Sequence, residues 1–126
     1  MADFGGQAMT LSEARCLFSY YLSSLLLEMF KAGYWACFDE VTERVTNKDP
    51  TSDHMAGSLH HSGLAGDINL YSRAEDGSLK YLASSEAHSQ FGDLWEQWAE
   101  STGYPLRWGG RFGDGNHYSF EWKGQK

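Results

Sequence analysis

At 126 residues the chain suits one domain and leaves little room for a second. An apolar fraction of 41%, with 15% aromatic residues and five tryptophans, is enough for a real core. The net charge of −7 argues against a general nucleic-acid binder, which needs clustered Lys and Arg, and against an electrostatic hold on anionic membranes or wall polymers.

Residues 1–9 are expected to form a loose arm, with one domain over 10–126. The start, Met-Ala-Asp-Phe-Gly-Gly, has Asp3 and no early Lys. It lacks the basic opening of a signal peptide, so synthesis in the cytoplasm without a signal is expected. Thr10-Leu11-Ser12-Glu13 fits a capping box, and a helix is expected to run to about Lys31. Leu11, Ala14, Phe18, Leu22, Leu25, Leu26 and Met29 recur on it at helical spacing. Gly33 suits a left-handed stop. The run from Cys16 to Phe30 is apolar but interrupted by Ser19, Ser23, Ser24 and Glu28, and too short for a membrane span. Cys16 and Cys37 fall in apolar patterns and are expected to be buried, reduced thiols; no CxxC pair exists for a thiolate zinc site.

Tyr34 to Val41 reads as an aromatic-rich strand, and the polar stretch 46–57 as a long loop of the kind that carries function. Leu64 to Tyr71 reads as the next strand. Its period of two sets Asp67, Asn69 and Tyr71 on one face and Ile68 and Leu70 on the other. Asp76-Gly77 signals a hairpin into Leu79–Leu82. A second helix is expected from Ser84 or Ser85 to about Ser101, with Ala87, Phe91, Leu94, Trp95, Trp98 and Ala99 as its apolar stripe and Gly103 with Pro105 at its end. A short strand near Leu106–Trp108, the pair Gly109-Gly110, a turn at Asp114-Gly115 and a last strand from His117 to Trp122 complete the chain. The pattern predicts an α+β fold: a small antiparallel sheet with two main helices.

Two polar knots stand out. Ser58-Leu59-His60-His61-Ser62-Gly63-Leu64-Ala65-Gly66-Asp67 sets an imidazole and a carboxylate seven residues apart among small residues that permit close backbone approach. Asp114-Gly115-Asn116-His117 is the second. An antiparallel sheet can lay His117 beside Asp67, with His60 reaching in from the loop before the strand. A hydrolytic zinc takes three such ligands and keeps one position open. A carboxylate free of the metal must then move the water proton, and Asp114, three residues before His117, can reach the same place.

The first knot matches Ser-x-His-x-x-Gly-x-Ala-x-Asp at every fixed position, and Trp108-Gly109-Gly110-Arg111-Phe112 followed by Asp114-x-x-His117 is similar to a Trp-Gly-Gly…Asp-x-x-His ending. In both, the chain resembles the zinc D-Ala-D-Ala carboxypeptidases and L-alanyl-D-glutamate endopeptidases, the VanX/VanY-like group with the hedgehog/DD-peptidase fold, and within it the phage endolysin branch. The resemblance spans roughly Trp35 to Trp122. It implies that His60, Asp67 and His117 bind one zinc ion, that Asp114 is the general base, and that an arginine after an early strand, here Arg44, stabilises the oxyanion. It also implies a peptidoglycan stem peptide as substrate and a protein that reaches the wall through lysis machinery or a virion; a monomer is expected. Many relatives carry Phe-Glu after the last ligand, where this chain has Tyr118-Ser119.

Among the other candidates, Ser58 is read as a substrate contact through the motif. His54 lines a groove or simply meets solvent, and Trp108 forms a groove wall or packs. His61 is read as structural or exposed, and His88 as a surface residue. Two rival functions remain: a D-Ala-D-Ala carboxypeptidase and a non-catalytic zinc-binding domain of the same fold. Asp114 argues against the second, because a structural site needs no carboxylate beside an open position.

Overall fold

A computed structural model describes residues 3–4, 7–39 and 63–122 of the chain. Asp3–Phe4 (β1) and Gln7–Ala8 (β2) pair antiparallel, and Met9 after them is buried. Helix α1 spans Leu11–Lys31. Its capping box forms as the sequence predicts: Glu13 N–H donates to the Thr10 hydroxyl at 3.1 Å, and Thr10 N–H to the Glu13 carboxylate at 2.9 Å. The helix ends at Ala32, and Gly33 takes φ +96°.

Among the described residues five strands make the main sheet: β3 (Trp35–Asp39), β4 (Ala65–Arg73), β5 (Leu79–Tyr81), β6 (Leu106–Trp108) and β7 (His117–Phe120). The order is β3-β4-β7-β6, with β5 pairing the far end of β4 across the Asp76-Gly77 turn; all pairings are antiparallel. Helix α2 spans Ser85–Thr102, capped by Ser84 and stopped by Gly103 at φ +78°. The fold is thus the expected α+β domain of two helices on a small antiparallel sheet.

The alternation of β4 separates core from site. Leu64, Ile68 and Leu70 are fully buried, while Asp67, Asn69 and Tyr71 on the other face are half-buried. Ala14, Phe18, Leu22, Leu25 and Met29 of α1 join Phe91 and Trp95 of α2, and Leu106, Trp108, Tyr118 and Phe120 of the sheet, in one core. Trp95 is its hub: the ring meets Phe18 and Tyr118 edge-on, and its indole N–H donates to the Arg107 carbonyl at 3.0 Å. Among the described residues both helices therefore cover one face of the sheet, and Asp67, Asn69 and His117 lie on the other. No helix among the described residues is long and apolar enough to cross a membrane.

Three sequence expectations need correction. Cys16 and Cys37 are free thiols but exposed. Cys16 falls between the buried turns at Ala14 and Phe18, and Cys37 lies on the outward face of β3 with Trp35 and Asp39. His88 is not a surface residue: it is 1% exposed and shares a 2.9 Å hydrogen bond with the Tyr118 hydroxyl. With Phe91, Gly92 and Trp95 it forms the inner stripe of α2.

Burial lowers the His88 pKa from about 6.5 to about 4, because the interior disfavours the imidazolium. The unfolded chain takes up that proton as pH falls through 6.5, and the native chain only near 4. Native stability should therefore drop across this window, by about 3 kcal/mol in all for this one group. Urea midpoints at pH 7, 5.5 and 4.5 measure it. His88→Gln, which has no imidazole to protonate, should flatten that part of the profile.

Candidate metal centre

The β4–β7 ladder sets Asp67 directly opposite His117, so both side chains leave the sheet on the face away from the helices. The Asp67 carboxylate oxygen lies 3.3 Å from His117 Nδ1, and each side chain is 16% exposed. The contact is a hydrogen bond just past the long end of the usual range, ~2.7–3.2 Å. The same spacing is compatible with two ligands of one ion, because tetrahedral zinc with bonds of about 2.0–2.2 Å places neighbouring donor atoms roughly 3.3 Å apart. One carboxylate and one imidazole, partly shielded from water, are also zinc's usual donors. The residues present therefore fit the ion. Among the described residues no group of three or more metal donors is found. His60, the third ligand expected from sequence, lies outside the described residues, as do Arg44, Ser58 and His54.

The second knot reaches the same place through a tight turn. His117 N–H donates to the Asp114 carbonyl at 3.1 Å, and Asp114 N–H to the Gly109 carbonyl at 2.9 Å. Ile68 N–H donates to the Asn116 carbonyl at 2.9 Å, which ties this turn to β4 beside Asp67. Gly109 is required by close approach: a Cβ there would stand 2.4 Å from the Asp114 carbonyl oxygen and 2.7 Å from His117 Cβ. The segment Gly109–Phe112 forms one 3-10 turn, which the sequence reading registered only as a glycine pair.

Beside the pair runs a cleft of about 250 Å³ lined by Arg107, Trp108, Gly109, Phe112, Asp114, His117 and Ser119. Asp114 is exposed at its rim, where a carboxylate can meet a water or a leaving group. Trp108 is wall and core at once. Its ring is 4% exposed, and its indole N–H donates to the Gly115 carbonyl at 2.7 Å. The ring lies hard against Gly92 of α2 and Gly110, where an added Cβ would come within 2.1 Å of it. Arg111 caps this unit, its guanidinium 5.1 Å from the Trp108 ring centre and paired with Glu96 and Asp93. The Trp-Gly-Gly run and the Asp-x-x-His run are thus one structural device: the indole anchors the turn that carries Asp114 and His117.

Sequence reasoning missed Asp39. It is the register partner of Asp67 on the β3 side, so Asp39, Asp67 and His117 form one row across three strands. The signal was the alternation Trp35, Cys37, Asp39, which points all three outward. A second carboxylate next to Asp67 deepens the negative potential a cation would meet.

No protein-family model and no curated protein matches the chain.

Proposed function

We propose that this chain is a zinc-dependent peptidase that hydrolyses peptidoglycan stem peptides, an L-alanyl-D-glutamate endopeptidase of the endolysin kind on a hedgehog/DD-peptidase-like fold. One observation carries the reading: Asp67 and His117 meet at ligand-to-ligand distance beside a cleft that Asp114 also lines. It joins the two stretches whose motifs resemble that family. Asp67, His117 and His60 would hold the ion. A zinc ion held there would supply Lewis acidity at the scissile carbonyl and lower the pKa of a water toward neutrality. Asp114 would take a proton from the water that adds to the carbonyl carbon and deliver it to the amine as the C–N bond breaks. Arg44 steadies the negative charge on the carbonyl oxygen, while Ser58 and His54 contact the peptide and Trp108 shapes the cleft wall.

Purified murein incubated with the zinc-loaded protein should release fragments with new L-Ala C-termini and D-Glu N-termini, read by mass spectrometry and abolished by chelator. His117→Ala should lose the metal, measured as zinc per chain. Released D-Ala would instead identify a carboxypeptidase, and no product from the zinc-loaded wild type would sink both.

A further inference from the structure

The outward face of β4 does not end at the metal pair. Four residues beyond Asp67, ~13 Å along the strand, Tyr71 is the register partner of both Trp35 on β3 and Tyr81 on β5. Three aromatic side chains therefore stand in one row on the face that carries Asp67 and His117. Trp35 is 46% exposed and Tyr81 50% exposed, a large open area for side chains of this size. The rings of Tyr71 and Tyr81 pack at 5.4 Å, and the Arg73 guanidinium lies over the Trp35 ring, 4.5 Å from its centre. Arg73 is held there by its hydrogen bond to the Gly77 carbonyl at 2.6 Å. Polar groups alternate with the rings: the Tyr81 hydroxyl donates to Asn69 Oδ1 at 3.4 Å, and Asp39 stands exposed at the near end.

We propose that this shelf binds the saccharide that carries the stem peptide, with Tyr81 as the stacking platform and Trp35 with Arg73 as its wall. The inference rests on the endopeptidase reading above. A sugar ring offers an apolar C–H face to an aromatic ring and hydroxyls at its edge to amide, carboxylate and guanidinium groups, and the shelf presents all of these. An apolar protein partner would bury the Asp39 carboxylate at the near end of the shelf without a mate. The glycan backbone is uncharged, so a chain of net charge −7 meets no repulsion from it. The lengths agree as well. Between a bond after the first stem residue and the sugar lie that residue and the lactyl link, roughly two residue lengths or ~7 Å. A disaccharide then covers the distance to the shelf. A carboxypeptidase acting at the far end of the stem would set peptide over the shelf instead.

Two measurements on the full chain test this. First, the Trp35 indole resonance is followed by NMR while an N-acetylglucosamine tetramer is added, with no zinc required. A saturable shift that Tyr81→Ala abolishes and Tyr81→Phe retains supports the shelf; no shift overturns it. A Trp35 shift that follows protein concentration and ignores sugar would mark an interface between copies, and also overturns it. Second, kcat/KM is compared for a stem tripeptide free and linked to its disaccharide. The linked substrate should be favoured about tenfold, the effect of one or two modest contacts, and Trp35→Ala should bring the ratio close to one. A preference that survives Trp35→Ala overturns the proposal. A sugar-dependent shift with neither peptide cleaved supports the shelf and sinks the peptidase reading, so the two failures are distinguishable.

Discussion

Asparagine at position 114 should leave zinc bound at the wild-type level while lowering kcat on stem peptide by about 10²–10⁴-fold, the usual contribution of a positioned acid–base group. The substitution keeps the size of the side chain and removes its capacity to carry a proton between water and amine. It leaves the backbone untouched. The turn from Asp114 to His117 is closed by main-chain hydrogen bonds to the Asp114 carbonyl and from the Asp114 N–H, so the Asp67–His117 pair should stay in register. Zinc per chain and turnover, measured on one preparation, separate the possible roles. Full activity would remove Asp114 as the base. Loss of zinc together with activity would make its carboxylate a support of the metal instead.

Gly92→Ala should unfold the protein more readily than any surface change. The new methyl would sit 2.1 Å from the Trp108 ring, and the ring has little room to retreat because Gly110 presses on it equally closely. Overpacking costs ~1–3 kcal/mol in most cores, and this site belongs at the upper end. A loss of about 3 kcal/mol corresponds to roughly 10 °C in Tm for a chain of this length. Urea midpoints measure it, with an unchanged slope showing that the native state rather than the unfolded one was altered. Trp108→Ala by itself should cost about 3–5 kcal/mol. The pair Gly92→Ala with Trp108→Leu should cost clearly less than the sum, because the smaller side chain makes room for the methyl. Strict additivity would mean that Gly92 and Trp108 do not meet.

Local signals made most of the fold legible. The Thr10–Glu13 box and Ser84 mark helix starts, Gly33 and Gly103 mark stops, and the alternation Asp67-Ile68-Asn69-Leu70 assigns β4 its two faces. These readings succeed because capping and pleat act over a few residues. The meeting of Asp67 and His117 across fifty residues followed from the antiparallel pattern with the two motifs. What escaped depends on tertiary contacts. Whether a histidine on α2 faces Tyr118 or water is decided by how the helix seats on the sheet, although its spacing to Phe91 and Trp95 held the clue. Asp39 gained its place only once β3 was paired with β4 in register. The need for glycine at 92 and 110 likewise depends on the Trp108 ring, which packs against both.

The last strand, β7, lies inside the sheet between β4 and β6. Chain closure over such a separation is slow compared with helix formation, and sheets built on distant pairings form late. Strand β6 pairs only with β7, its near neighbour in the chain, so the carboxylate and the imidazole come together when this β6–β7 pair docks on β4. A half-folded chain holds no assembled donor pair, so metal capture reports completion, and an ion caught there would fasten the docked pair. If the proposed site holds zinc, the ion should act chiefly by slowing the exit of β7, lengthening the lifetime of the native state more than it quickens its birth.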